Sequence, residues 1–333
     1  MAFSLSILDQ SPVVAGASPR DAVLATLALA RRADALGYHR YWLAEHHAMR
    51  GLADAAPETL LARLTGETAR IRLGTGGIML PHYAAFKVAE SFRMLEALAP
   101  GRIDLGIGRA PGGTGLVSAA LESRDVATFP QQLVETMDFL DGTTPAASPF
   151  ASLTAMPSGS TSPEFWLLGS SEYGARLAGK MGLPYAFAHF IGGDGRGIVR
   201  DYRASFRPSA RAAQPYAMVA LAAIVAPTDE EAEELALPLA LWRTRIHRGI
   251  SSPIPSLDEA RAYPWTPLER EETRRDRRVV TGSPATARAR IESLVAEHAA
   301  DEAMIVTIAP DYASRLRSYE LLADAFAIGR RAA

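Results

Sequence analysis

Cysteine is absent from the 333-residue chain, which excludes disulfide frameworks, thiolate zinc sites and cysteine nucleophiles together. Lysine is almost absent: Lys87 and Lys180 are the only two, so 33 of the 35 basic residues are arginine. With abundant alanine beside it, that bias is a matter of genomic base composition and implies no particular chemistry. A basic excess is also lacking, since 37 acidic residues leave a net charge of −2. Nucleic-acid binding, which needs cations concentrated on one face, is therefore not expected. Nor is there a long apolar run. The longest, residues 217–226, is half of the roughly 20 residues a membrane span requires. The chain starts without a basic segment and meets Asp9 before any signal-like stretch forms. A soluble cytoplasmic protein with no membrane partner is the expectation.

What is present is ample core material. Hydrophobic residues make up 48% of the chain and charged residues 22%, which rules out intrinsic disorder. Short apolar runs occur at residues 3–8, 39–44, 71–79, 102–107, 165–168, 184–188, 216–225 and 303–308. Helical patterns occupy 20–36, 57–70, 83–98, 133–140, 171–181, 229–248, 284–298 and 312–328. Most of the runs are continuously apolar, as strands covered on both faces are. Eight β-then-α steps predict an α/β fold closed into a (β/α)8 TIM barrel, one domain over residues 1–333. Ser18 as cap, Pro19 at the first helical position and Asp21 in the first turn start the first helix, and Gly37 ends it. A doubly wound open sheet is the competitor, but Asp9-Gln10-Ser11-Pro12 is not the Gly-rich turn it needs after strand one. Two segments stand outside the repeat and are expected as insertions after strands four and seven: residues 142–163, rich in Thr, Ser, Pro and Gly, and residues 249–278, which end in a dense charge run. Each reads equally as an active-site lid or as a solvated connection.

In such a barrel the chemistry belongs at the carboxyl ends of the strands. Those ends carry Asp9-Gln10, Glu45-His46-His47, Gly76-Gly77 running out to His82, Gly108-Arg109, Gly169-Ser170-Ser171 and His189. Adjacent strand residues point to opposite faces. One of His46 and His47 can therefore meet a ligand while the other, or Glu45, holds the local structure. A metal reading would add His82 and His189 as ligands, but it lacks a paired His spacing and a bridging carboxylate. Gly76-Gly77 marks a bulge, a strained peptide or the close approach of a flat ligand. Arg109 and Ser170-Ser171 read as parts of one anion site, a guanidinium facing a helix N-terminus. The alternative is that Ser170 merely caps the helix and Arg109 is solvated. Trp265, alone in its loop, reads as pocket lining or as packing.

Four stretches together, Tyr41–His47 (YWLAEHH), Leu73–Pro81 (LGTGGIMLP), Pro100–Arg109 (PGRIDLGIGR) and Trp166–Ser171 (WLLGSS), resemble the bacterial luciferase-like flavin-dependent monooxygenases, over nearly the whole chain. The branch resembled is the group 1 luciferase-like oxidoreductases and not the light-emitting subunits, which carry a cysteine where this chain has Gly108 and an acidic residue where it has Ser170. The resemblance implies a barrel binding FMN at its carboxyl face, with His46 near the reactive edge of the flavin. It also implies a cis peptide at Gly76-Gly77 against the ring, with Arg109, Ser170 and Ser171 on the phosphate. It implies oxygenation of a small-molecule substrate by reduced FMN and dioxygen, the reduced flavin coming from a separate flavin reductase, and a homodimer. A deazaflavin-dependent hydride transferase and a non-catalytic flavin-binding protein are the alternatives within that resemblance.

Overall fold

A computed structural model describes residues 3–159, 161–276 and 278–329; Met1, Ala2 and, within the charge run at 269–278, Arg277 lie outside the described residues. The expected barrel is there. Its wall consists of β1 (Ser4–Asp9), β2 (Arg40–Leu43), β3 (Arg72–Thr75) with its short continuation β4 (Ile78–Met79), β5 (Ile103–Gly108), β6 (Glu164–Gly169), β7 (Tyr185–Ala188) and β8 (Ala217–Val225). A further strand, β9 (Val279–Gly282), pairs with the far end of β8, and β10 (Glu302–Val306) closes the ring. Glu302 pairs with Ser4 of β1 on one side and with Met218 of β8 on the other. All of these pairings are parallel. Among the described residues no helix is long and apolar enough to cross a membrane.

The outer shell follows from local signals. Helix α1 (Pro19–Leu36) opens on a capping box between Ser18 and Asp21 and ends at Gly37, whose φ of 90° only glycine adopts readily. Its fellows α2 (Pro57–Thr65), α3 (Ala85–Leu98), α5 (Phe129–Asp141), α6 (Glu172–Met181), α12 (Pro284–Glu297) and α13 (Tyr312–Ala325) bury their apolar stripes against the outward side chains of the strands, including Leu5, Ile7, Tyr41, Leu73 and Leu105. Between α3 and α5 the chain makes a short helix, α4 (Gly115–Ala120), on the rim.

Two expectations need correction. The helix following β7 is α8 (Arg196–Ser205), preceded by a turn of helix α7 (His189–Gly192); its arginine-rich composition hides a narrow apolar stripe at helical spacing, in which Val199 and Tyr202 are buried. The long helix α9 (Asp229–His247) packs Leu239 and Trp242 against Ile254 of the second insertion and belongs with it, while α12 takes the place in the outer shell. That insertion is no bare connection: α10 (Leu257–Ala262) and α11 (Pro267–Arg275) lie within it, the latter opened by a Thr266–Glu269 capping box. Ile254 is fully buried and bridges in parallel to Val14. Trp265 packs on Tyr263 and donates to Ala260 O, so it is packing. Residues 142–159 and 161–163 carry no helix or strand, as expected.

The inside of the barrel is stacked in layers, and the lowest is ionic. Arg40 Nη1 lies 2.9 Å from Asp104 Oδ2 and 2.8 Å from Glu164 Oε2, while its Nε is 3.2 Å from Glu302 Oε2. Arg72 adds a bond to Asp104 at 2.5 Å. Burial alone would push the Asp104 carboxyl up; Arg40 and Arg72 override it and hold it below the usual carboxylate range. Above this layer Trp42 and Trp166 meet edge to face at 5.2 Å, and Trp42 Nε1 donates to Asp104. Gly74 makes room for the pair, because a Cβ there would fall 2.6 Å from both Trp42 Nε1 and Asp104 Cβ. Leu8, Ala186, Ala220 and Met304 cover the tryptophans from above.

Replacing Arg40 by alanine strips the buried carboxylates of Asp104 and Glu302 of their shared partner. The expected loss is about 3–5 kcal/mol of folding stability, read from urea unfolding curves. A loss under about 1 kcal/mol would show that the layer is not a structural keystone.

Candidate active site

Strand β2 stops at Leu43, and the following residues turn irregular, so Glu45, His46 and His47 are freed from the alternation of a strand. Glu45 is fully buried and serves the frame. It accepts from Met79 N–H at 3.0 Å, from Tyr83 O–H at 2.8 Å, and lies 2.8 Å from His47 Nε2. Burial, followed by the Glu45 charge, pushes the Tyr83 phenol well up and keeps it a donor. His47 is thus a structural histidine. His46 takes a different partner: its Nδ1 is 2.9 Å from Oδ2 of Asp54. Asp54 is 1% exposed and its Oδ1 has no hydrogen-bond partner among the described residues. Burial raises its carboxyl, with His46 pulling the other way.

Gly76-Gly77 is joined by a cis peptide bond. Gly76 N–H donates to Leu43 O at 2.7 Å, tying the strand ends together. An added Cβ on Gly76 would sit 2.6 Å from Leu8 Cδ1, and one on Gly77 would sit 2.6 Å from Gly106 O and overlap Leu168. The twin glycines are therefore demanded by the protein's own packing, before any ligand arrives.

Arg109 leaves the end of β5 exposed to solvent. It has no carboxylate partner among the described residues, and its guanidinium carbon rests 4.4 Å over the Tyr173 ring. One strand across, Ser171 is the N-cap of the ten-residue helix α6, in extended conformation, with no capping hydrogen bond from its side chain. The N-cap is Ser171 and not Ser170, so the reading in which Ser170 caps the helix fails, although Arg109 is exposed as that reading had it. The free hydroxyl and the first-turn amides face outward with a positive partial charge.

These pieces meet in one cavity of about 320 Å3. Gly76, Gly77, Arg109, Ser170 and Ser171 all line it, with Leu8, Trp42, Ala220 and Met304 as floor and Tyr173 and Phe190 as walls. Five of the six residues singled out from the sequence converge there. His46 does not line the cavity. Its neighbour Asp54 and the arginine platform Tyr173 were not foreseen, and nothing in their local sequence marks them. A larger cavity, about 550 Å3, lies under the second insertion between α9 and β9. Its Arg243 and Arg278 are both spent on Asp276, and it contains none of the six residues.

The two further histidines of the metal reading, His189 and His82, are engaged elsewhere. His189 is buried against His298, and burial followed by the neighbouring His298 lowers it to about 4. His82 has partners at both ring nitrogens. Among the described residues no group of three or more His, Asp or Glu side chains is placed to hold a metal ion.

Known proteins resemble the chain over nearly its whole length. The family model of the luciferase-like monooxygenases matches residues 1–302. Uncharacterized protein YceB of Bacillus subtilis (strain 168) is 44% identical over 97% of this chain and 99% of its own. A luciferase-like monooxygenase of Escherichia coli (strain K12) is 38% identical over 97% of this chain and 96% of its own. The crystal structure of apo-MsnO8 superposes with a TM-score of 0.91 at 40% identity, covering 99% of both chains.

The packing around the twin glycines makes a prediction independent of any ligand. Gly77→Ala should lower the stability of the ligand-free protein by about 1–3 kcal/mol through overpacking, seen as a reduced melting temperature. An unchanged melting temperature would mean that the glycines serve only the ligand.

Proposed function

The chain belongs to the luciferase-like monooxygenase family, and on that premise we propose that it is an FMN-dependent oxidoreductase. In this reading it uses reduced FMN from a separate flavin reductase, together with dioxygen, to oxygenate a small organic substrate. The observation that carries this reading is the corner where Arg109, without a carboxylate partner among the described residues, faces the start of α6, which has no side-chain cap. A guanidinium and a row of free amides form a site for a phosphate dianion, and the apolar cavity beside them suits a flat ring. The residues therefore fit the cofactor.

When bound, the flavin supplies the redox chemistry that no side chain of the site can perform. The protein's part is placement. Arg109, Ser170 and Ser171 hold the phosphate. Gly76 and Gly77 bring the backbone close to the ring face, and the floor of Leu8, Trp42 and Met304 keeps water away from it. His46, steadied through Nδ1 by Asp54, is assigned the donation of a hydrogen bond or proton to oxygen, from a position beside the cavity and not in its lining.

Two measurements test the reading. Arg109→Ala should weaken FMN binding about tenfold to a hundredfold, the range of a charged hydrogen bond, and leave riboflavin binding unchanged. Equal weakening of both would remove the phosphate assignment. His46→Ala should keep FMN affinity while a larger share of consumed dioxygen appears as hydrogen peroxide in place of product. Normal coupling with lost flavin affinity would place His46 in binding instead. Titration of the wild-type protein with FMN, reduced FMN and deazaflavin, followed by oxygen uptake, separates oxygenation from deazaflavin hydride transfer and from flavin binding without turnover.

A further inference from the structure

His82 is unassigned by this reading, yet it is one of the most fully engaged side chains on the rim. Its Nε2 lies 2.7 Å from the carbonyl oxygen of Pro111, and its Nδ1 lies 2.5 Å from Ser123 Oγ. A carbonyl can only accept, so Nε2 carries a proton and donates it; in the neutral ring Nδ1 then accepts from the Ser123 hydroxyl. The two partners are the two feet of one flap, residues 112–122. That flap carries α4, in which no residue is buried and Leu116 is 81% exposed. Gly112 at its base adopts a φ of +59°.

The same two points carry other ties. At the first foot His47 N–H donates to Gly112 O at 2.9 Å, and at the second Arg124 N–H donates to Pro81 O at 2.8 Å. The His82 ring also meets His47 edge to face at 5.5 Å, and His47 is itself held by the buried Glu45. The first foot matters most. Pro111 is two residues beyond Arg109, whose guanidinium has no carboxylate to steady it among the described residues and rests only on the Tyr173 ring.

We propose that His82 is the positioning residue for Arg109: by clipping both feet of the flap it fixes the backbone from which the anion-binding guanidinium projects. The Arg109 part of this proposal rests on the FMN reading above; the clip itself does not. With the clip intact, little of the binding energy is spent on ordering the arginine when a phosphate arrives.

Hydrogen exchange on the ligand-free protein tests the clip. In His82→Ala the amides of residues 112–122 should exchange about tenfold faster, the factor that loss of two ordinary hydrogen bonds gives. His82→Gln, which retains a donor and an acceptor, should restore most of the protection. Ser123→Ala, which cuts one foot only, should shift the same amides by less. If His82→Ala fails to fold, the Gln and Ser123 variants carry the comparison. In the same series FMN affinity should fall about tenfold for His82→Ala and recover in His82→Gln, with riboflavin affinity unmoved throughout. Unchanged exchange in the flap overturns the clip. FMN and riboflavin weakened equally overturn its link to Arg109. Failure of wild-type FMN binding, or equal loss of both ligands in Arg109→Ala, overturns the phosphate reading instead and leaves the exchange result standing.

Discussion

The structure hangs on one desolvated guanidinium. Arg40, 4% exposed, is held at the amino end of the barrel by carboxylates from β5, β6 and β10. Burial works against its charge, and the three acids more than offset this, raising its proton affinity above the ordinary arginine value. A single charge can bind three carboxylates only if their strands arrive at one axis in one register. A slip by one residue would turn Glu302 or Asp104 outward into the helix-facing core. The ionic layer therefore contributes less through net energy, which buried ion pairs supply sparingly, than by making other closures costly.

Everything above it is stacked in order of polarity. The Asp104 carboxylate orients Trp42, Trp42 meets Trp166 edge to face, and Gly74 of β3 supplies the space the Trp42 indole takes up. The next layer is small and apolar and becomes the floor of the cavity. The two ends of the barrel then differ in a telling way. At the bottom an arginine has three carboxylates; at the top Arg109 has none among the described residues and faces a helix start with no side-chain cap. Saturated polar groups stabilise a fold, whereas unsaturated ones at the carboxyl face are what the proposed phosphate site draws on.

Between these ends the rim loops are held by polar side chains that never meet the cavity. Glu45 gathers the end of β2, the backbone at Met79 and the Tyr83 hydroxyl. His47 and His82 join that cluster to the flap beyond Arg109. Asp54, fully enclosed, does the same for His46. Loops that carry binding groups need such clamps because they have little apolar burial of their own.

The amino-acid order alone determined the barrel, the place of its two insertions, and five residues of one cavity: Gly76, Gly77, Arg109, Ser170 and Ser171. Those readings rest on local quantities that survive without the fold: which runs are apolar on both faces, where a helix can start, where only glycine fits. Tertiary structure decided the partners. Arg40 finds Glu302 across 262 positions of chain, His46 finds Asp54, and His82 binds Pro111 and Ser123 where a metal had been the alternative. It also showed that the helix after β7 is the polar α8, because burial of Val199 and Tyr202 depends on what packs against them and not on the composition of the segment. A polar side chain states in sequence only what it could bond; closure of the barrel decides which of many possible partners comes within 3 Å of it.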